Sequence, residues 1–129
     1  MEELIKQYEE IKAKWFRVTE QDALDLFCIS DSLLDLYIEN KSSNVEWKIQ
    51  LDVEKAVMGL ELKEETFNDS KTDKVKNYTE QQVKDKITIK THKQKLDIEV
   101  KNITIEMLEK KYQQVLKYHD LIKKIVFKS

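Results

Sequence analysis

Apolar residues recur at helical spacing from the start of the chain. Leu4, Tyr8, Ile11 and Trp15 are separated by four, three and four positions, which predicts an amphipathic helix from about Glu2 to Phe16. Thr19 and Asp22 follow at the spacing of a capping box, so a second helix is expected to run to about Asn40. The buried face of that second helix is predicted to comprise Ala23, Leu26, Phe27, Ser30, Leu33, Leu34, Tyr37 and Ile38.

The polar tetrapeptide at 41–44 predicts a break after this helix. Ser43 and Glu46 repeat the capping-box spacing, so a third helix is expected from here to about Glu65. Its main apolar face is predicted to comprise Ile49, Val53, Ala56, Val57 and Leu60. Further apolar residues lie on neighbouring faces, so one face of this helix is expected to contact a partner rather than the core.

A polar segment at 68–78 predicts a linker in the middle of the chain. Thr79 and Gln82 form a third capping box, which predicts a short helix over roughly 80–87. The strongest helical pattern covers about 103–127, with apolar positions at spacings of four and three. We expect this last helix to assemble a homo-oligomer through Leu108, Tyr112, Val115, His119, Ile122 and Val126.

The segment between Lys86 and Val100 fits two patterns. Alternation of apolar and polar residues, as at Ile87 and Ile89, is typical of a small hairpin. The same segment also supplies part of one helical stripe, made of Ile89, Leu96, Val100, Ile103 and Met107. Neither Gly nor Asn occupies the turn at 92–94 that a hairpin would need, so we favour the helix and keep the hairpin as the alternative.

Composition narrows the fold class. A chain of 129 residues with 40% hydrophobic residues fits one domain, and its one Gly and absence of Pro disfavour turn-rich β folds. We therefore predict an all-α protein, a small helical bundle with a long C-terminal assembly helix. Within this single domain we distinguish an acidic helical region at 1–67, a polar tether at 68–78 and a basic helical region at 79–129.

Neither catalytic activity nor metal binding is expected from this sequence. Cys28 is the only cysteine and is predicted to be buried and inert, which excludes a disulfide within the chain. His119 falls on the apolar stripe of the last helix, as a core or interface histidine would. The carboxylates are interpreted as solvated helix faces rather than as a Mg²⁺ site. We predict no enzymatic activity, no cofactor and no metal.

Membrane insertion is also not expected. No run of 18 apolar residues is present, and the first residues are acidic where a signal peptide would be basic. We expect a cytoplasmic protein, which would mean the host cytoplasm if a phage encodes it.

Charge is divided unevenly along the chain. Residues 1–65 contain 16 Asp and Glu against 8 Lys and Arg, whereas residues 66–129 contain 15 Lys against 9 Asp and Glu. A run of lysines with one tyrosine predicts non-specific phosphate binding and base stacking on single-stranded DNA. The residues of this predicted interface are Lys71, Lys74, Lys76, Tyr78, Lys84, Lys86, Lys90, Lys93 and Lys95. The alternative is that this basic surface faces the acidic half of a neighbouring subunit.

The order of these elements resembles the phage recombination mediator family of the UvsY type. The most family-like stretch runs from Thr79-Glu80-Gln81-Gln82-Val83-Lys84 to Tyr112-Gln113-Gln114-Val115-Leu116-Lys117-Tyr118-His119-Asp120-Leu121-Ile122. The resemblance implies a non-enzymatic protein that helps load a recombinase onto single-stranded DNA held by a single-strand-binding protein, and it implies a ring of C-terminal helices. The alternative function is a protein–protein adaptor, assembly factor or inhibitor that binds no nucleic acid.

Overall fold

Long helices dominate the computed structural model, which describes residues 1–69, 71 and 74–127, with only the backbone at 68 and 69. Helix α1 spans Glu2–Lys12, a 3₁₀ turn spans Trp15–Arg17, α2 spans Glu20–Glu64 and α3 spans Glu80–Val126. Between α2 and α3, β1 (Thr66–Asp69) pairs with β2 (Lys74–Asn77). The prediction of an all-α fold with a long C-terminal helix is confirmed.

Two of the three predicted capping boxes form. The Thr19 backbone N–H donates to Asp22 Oδ2 at 2.9 Å, and the Asp22 N–H donates to Thr19 Oγ1 at 3.2 Å. Thr79 and Gln82 make the same reciprocal pair, at 2.9 and 3.2 Å. Each pair satisfies two backbone groups that a helix start leaves open, so α2 and α3 begin where the sequence predicts.

The predicted break at 41–44 is wrong, because α2 passes through it without interruption. Serine and asparagine lower helix propensity by only a few tenths of a kcal/mol each, and no Gly or Pro stops the helix here. Asn40 Nδ2 donates to the Leu36 carbonyl at 2.7 Å, and the Lys41 ammonium lies over the Tyr37 ring. Local contacts with the preceding turn therefore support the polar segment as helix.

Helix α3 is also continuous, so the favoured helical interpretation of 86–100 is confirmed and the hairpin alternative is wrong. The hydroxyls of Thr88 and Thr91 donate to the carbonyls of Lys84 and Ile87, at 2.9 and 2.7 Å. Such bonds to the carbonyl four residues earlier accommodate β-branched threonine within a helix. The short helix predicted at 80–87 is the first part of α3.

The small sheet lies where the sequence predicts a linker. Strands β1 and β2 are antiparallel, with Thr66 opposite Asn77 and Phe67 opposite Lys76. Within the described residues, the predicted tether is therefore largely a β-hairpin. A two-stranded hairpin alone is marginally stable in water, so contacts outside its ladder are needed to hold it.

The chain divides into two compact units, and each unit takes residues from both predicted helical regions. The first unit comprises residues 1–42 and 101–129, and the second comprises residues 43–100. The core of the first unit joins α1, α2 and α3, with Leu26, Leu33, Leu108 and Val115 at 2% exposure or less. Tyr8 meets Tyr118 edge to face, with ring centroids 5.8 Å apart.

Helix α1 ends earlier than predicted. The Ala13 N–H still donates to the Glu9 carbonyl, but Trp15 has a φ of 54°, which no α-helix can contain. Trp15 is 75% exposed and Phe16 is 86% exposed, so the prediction that Trp15 belongs to the buried face is wrong. Tyr8 and Ile11 of that face are buried in the core, and Leu4 packs against it.

In the second unit the two helices run antiparallel and contact each other through a mixed polar and apolar seam. Gln94 Nε2 donates to Glu54 Oε2, and Leu51, Leu62 and Ile98 are buried in the same unit. A Cβ placed on Gly59 would lie 3.7 Å from Ile87 Cδ1, which is ordinary van der Waals contact. The helices therefore pack closely here without requiring glycine.

The apolar face predicted for residues 45–65 faces away from this seam. Its large members are about half exposed or more, with Leu60 the most exposed at 67%. The predicted stripe on the segment around 89–107 is likewise exposed, with Ile89 at 76%. Phe27, Ile38 and Cys28, all predicted to be buried on α2, are exposed as well. These side chains were assigned to the wrong face of their helices.

Candidate nucleic-acid interface

A stacked aromatic pair fixes the β-hairpin of the second unit to the start of α3. The rings of Phe67 on β1 and Tyr78, which follows β2, lie nearly parallel at 18°, with centroids 4.8 Å apart. Offset-parallel stacking of this kind is worth about 0.5–1.5 kcal/mol beyond the area that it buries. Because Tyr78 immediately precedes the Thr79 cap of α3, the stack holds the hairpin against the helix that follows it.

Lys86 adds a cation to the same stack. Its ammonium lies 4.5 Å from the centroid of the Tyr78 ring, one and a half turns into α3. A lysine over an aromatic face is attracted by the quadrupole of the ring. Lys86 is accordingly half-buried, whereas Lys84 and Lys90 beside it are exposed.

The predicted lysines fall into three groups in the structure. Lys71, Lys74 and Lys76 are exposed on the hairpin, where the last two lie two positions apart and share one side of β2. On α3, Lys86, Lys90 and Lys93 are spaced by four and three and so share one side of the helix. Lys84 and Lys95 lie on another side of α3. The predicted set is therefore distributed around the second unit and does not form a single flat face.

The position of Tyr78 changes its predicted role. An aromatic ring and an ammonium group already contact the π-system on which a nucleobase is predicted to stack. A base would have to displace one of them to stack on Tyr78. Phe67, which is not among the predicted interface residues, is therefore the second aromatic residue of this site.

A cleft of about 440 Å³ adjoins the aromatic stack. Its lining adds Lys63, which sequence reasoning missed because it lies in the acidic half of the chain. The complete lining is Gly59, Lys63, Tyr78, Glu80, Val83, Lys84 and Ile87. Helix packing thus brings a lysine from α2 to the same end of the unit as the lysines of the hairpin and of α3.

The predicted oligomer interface lies mostly in the core of its own chain. Leu108, Val115 and Ile122 are buried, and Tyr112 and Val126 pack against the same core. The side chain of His119 is 13% exposed, and its ring centroid lies 6.0 Å from that of Phe27. Intramolecular packing therefore already occupies most of this face. Assembly of a homo-oligomer through it stays a prediction.

An exposed apolar stripe on α2 is available instead. Val45, Ile49, Val53, Val57 and Leu60 recur at spacings of four and three, on the side of α2 opposite buried Leu51 and Leu62. We call these five residues the outward stripe. Contiguous exposed apolar surface of this kind is uncommon on a monomer and marks interaction surfaces.

Metal binding and membrane insertion find no support in the part of the chain that the structure describes. Among residues 1–69, 71 and 74–127, no group of three or more His, Cys, Asp and Glu side chains could hold a metal ion. No helix over the same residues is long and apolar enough to cross a bilayer.

Comparison with known proteins gives no assignment. No protein-family model matches the chain, and neither a curated protein nor a solved structure matches it significantly.

Proposed function

We propose that this protein is a non-enzymatic accessory factor that binds single-stranded DNA and helps to load a recombinase onto it. The observation that carries the proposal is the basic and aromatic surface at the hairpin end of the second unit. Lys76 lies opposite Phe67 in the strand ladder, and Lys86 lies over the Tyr78 ring that stacks on Phe67. Lys63 and Lys84 line the adjoining cleft. Single-strand binders commonly combine such charges, which follow the phosphates, with rings on which bases stack.

The chemistry of the surface supports sequence-independent binding. Lysine is a flexible point charge that neutralises phosphate without a fixed fork of donors, so it reads no base. The chain contains a single arginine, Arg17, which lies outside this surface. A factor that loads a recombinase along any sequence needs this kind of recognition, as the resemblance to the mediator family implies.

The first test is the binding of a fluorescent oligo-dT over a range of salt concentrations. If about four lysines contact phosphates, log K is expected to fall with log salt at a slope of roughly −3. Replacement of Lys84, Lys86, Lys90 and Lys93 by Gln should weaken binding at least tenfold at 50 mM salt and flatten this slope.

A matched control comes from the same helix. The quadruple variant Lys110→Gln, Lys117→Gln, Lys123→Gln and Lys124→Gln removes the same charge from α3 outside the proposed surface. It should retain most of the affinity. No oligo-dT binding by the unmodified protein at 50 mM salt, or an equal loss in both variants, would overturn the proposed DNA interface.

The outward stripe supports a second candidate, a protein–protein module whose partner is another copy of the chain. Within the second unit, the part of α2 that carries the stripe (43–64) contains 5 Asp and Glu against 3 Lys, and the part of α3 (80–100) contains 5 Lys against 4 Asp and Glu. In the second unit α3 has its own exposed apolar residues, including Ile89, Leu96 and Val100. The stripe and its slightly acidic flanks are thus complementary to the exposed apolar residues and slightly basic flanks of α3 in a neighbouring copy.

Sedimentation velocity over a range of concentrations tests this second candidate. Self-association should appear as a rise in sedimentation coefficient with concentration, and added salt should weaken it because the flanking charges are exposed. A monomer that persists at several hundred micromolar would exclude the second copy as the partner.

A further inference from the structure

The two rings and the ammonium of the hairpin site form a stack with a definite order. Lys86 and Phe67 both contact the ring of Tyr78, at 4.5 and 4.8 Å from its centroid. Because a cation over a ring and a nearly parallel neighbouring ring each occupy one face, Tyr78 is the middle layer. Phe67 is the outermost aromatic layer, and its side chain keeps partial exposure.

The hairpin register places cations beside this outer ring. Phe67 lies directly opposite Lys76, and Lys74 is the diagonal neighbour along β2. Directly opposed side chains have Cβ atoms about 5 Å apart and diagonal ones about 7–8 Å, both within the reach of a lysine. A planar group stacked on Phe67 would therefore have an ammonium group on the adjacent strand.

We propose that the face of the Phe67 ring turned away from Tyr78 is a nucleobase-stacking site, at which Lys74 and Lys76 bind the phosphates next to the stacked base. This inference rests on the proposed function and specifies where and how the single strand is held. A base enters this site without displacing Lys86 or Tyr78. Lys86 has a positioning role, because its cation–π contact fixes the ring on which Phe67 rests.

The site selects single strands by geometry. A base within a duplex is stacked on its neighbours and is not free to lie on Phe67, whereas a base in a single strand is. The lysines alone do not make this distinction, since they contact phosphates that both forms carry. A preference for bases that can stack is therefore the signature of Phe67 and not of the charge.

An abasic oligonucleotide separates stacking from phosphate binding. A dT 12-mer and a 12-mer of the same length built from abasic sites carry the same phosphates. The unmodified protein is expected to bind the dT strand roughly 5- to 150-fold more tightly, the range that one stacked base provides. Phe67→Leu should lower the affinity for dT to that for the abasic strand and leave the abasic affinity unchanged.

Two further variants keep the test decisive. Phe67→Trp should preserve the preference for dT, and its indole fluorescence should be quenched by dT but not by the abasic strand. Phe127→Leu, which changes an exposed phenylalanine of the first unit, should bind both strands as the unmodified protein does. The far-ultraviolet circular dichroism and melting temperature of Phe67→Leu show whether the fold is kept.

The possible failures are distinguishable. Binding of neither strand by the unmodified protein would remove the proposed function and the stacking site together. Equal binding of both strands, or a Phe67→Leu variant that retains its preference for dT, would leave DNA binding intact and overturn the stacking site alone. Loss of both affinities in Phe67→Leu with an intact fold would assign Phe67 to the general surface and likewise overturn the proposal.

Discussion

Asp22 is a buried carboxylate at the start of α2, held by Lys14 and Thr19. Its residue exposure is 4%, and Lys14 Nζ donates to Oδ1 at 2.8 Å while the Thr19 N–H donates to Oδ2. Burial acts to raise the pKa of Asp22. The hydrogen bonds from Lys14 and Thr19, together with the positive charge of Lys14, outweigh burial and lower the pKa below its ordinary value of 3.8.

Asp22→Asn tests this arrangement through the pH dependence of stability. Because the pKa is lower in the folded state, the carboxylate stabilises the fold above about pH 4, and this contribution is lost as the pH falls through the folded pKa. The variant should lose about 1–3 kcal/mol of unfolding free energy at pH 7. Urea denaturation between pH 7 and pH 3 should show this difference shrinking at the acid end.

Asp35→Asn provides the control, since it removes one exposed negative charge from the same helix. It should change the unfolding free energy by less than about 0.5 kcal/mol at pH 7. A difference between Asp22→Asn and the unmodified protein that stayed constant from pH 7 to pH 3 would contradict the assigned role of the carboxylate.

Single residues were predicted well where the deciding interaction is local. The capping boxes at Thr19 and Thr79 involve residues three positions apart, so the sequence alone specifies both partners. Ser43 and Glu46 have the same spacing but lie inside α2, because the helix before them continues. Trp15 shows the opposite case, since a left-handed residue after Lys12 ends α1 without Gly or Pro to signal it.

At the scale of the helices, the face of α3 that is buried differs from the face that the hydrophobic pattern predicts. In α3 the positions 87, 91, 94, 98, 101, 105 and 108 continue at spacings of four and three, and all are at least partly buried. Thr91, Gln94 and Lys101 occupy three of these positions. A search for apolar residues therefore selects Ile89, Leu96 and Val100 on another face, which is why the face was predicted wrongly.

The candidate site was missed in part for the same reason. The predicted lysines and Tyr78 lie within one segment, residues 71–95, and could be selected from its composition alone. Phe67 and Lys63 join them through strand pairing and helix packing, which bring together residues nine or more positions apart. The sequence of the hairpin gives little indication of β-strands, because its four residue pairs include few apolar side chains. The hairpin depends instead on the stacking of Phe67 on Tyr78.

Gly59→Ala tests how closely the helices of the second unit pack. The added Cβ would meet Ile87 Cδ1 at 3.7 Å, so the methyl group fits without displacement. Alanine also restricts the unfolded chain and favours helix, so the variant should gain about 0.5–1 kcal/mol of unfolding free energy in urea denaturation. Ala56→Gly, at an exposed position of the same helix, should lose a similar amount. A loss of stability in Gly59→Ala would show that glycine is needed for close approach.

At the scale of the whole molecule, the division of charge along the chain does not persist in the folded units. The first unit contains 13 Asp and Glu against 12 Lys and Arg, and the second contains 12 against 11. Each unit combines an acidic stretch of the N-terminal half with a basic stretch of the C-terminal half. Part of the asymmetry between the halves is therefore balanced inside each unit, and the proposed binding depends more on the distribution of charge around the hairpin than on the net charge of either half.

The outward stripe should control self-association without contributing to the fold, and the core should do the reverse. The triple variant Ile49→Gln, Val53→Gln and Val57→Gln is expected to weaken association at least tenfold in sedimentation equilibrium. Its monomer should keep its unfolding free energy, because these side chains are about half exposed and glutamine favours helix at least as well as valine. Leu108→Ala should instead lose about 2–5 kcal/mol, since Leu108 is 2% exposed in the core of the first unit.

The unfolding free energies must be measured on monomer, because association stabilises the folded state by mass action. Urea denaturation at low micromolar concentration and sedimentation at high concentration keep the two quantities apart. If the triple variant lost as much stability as Leu108→Ala, the outward stripe would belong to the core of the chain. If the variant associated as tightly as the unmodified protein, another surface would hold the copies together, and the exposed Trp15 and Phe16 would then be the residues to replace next.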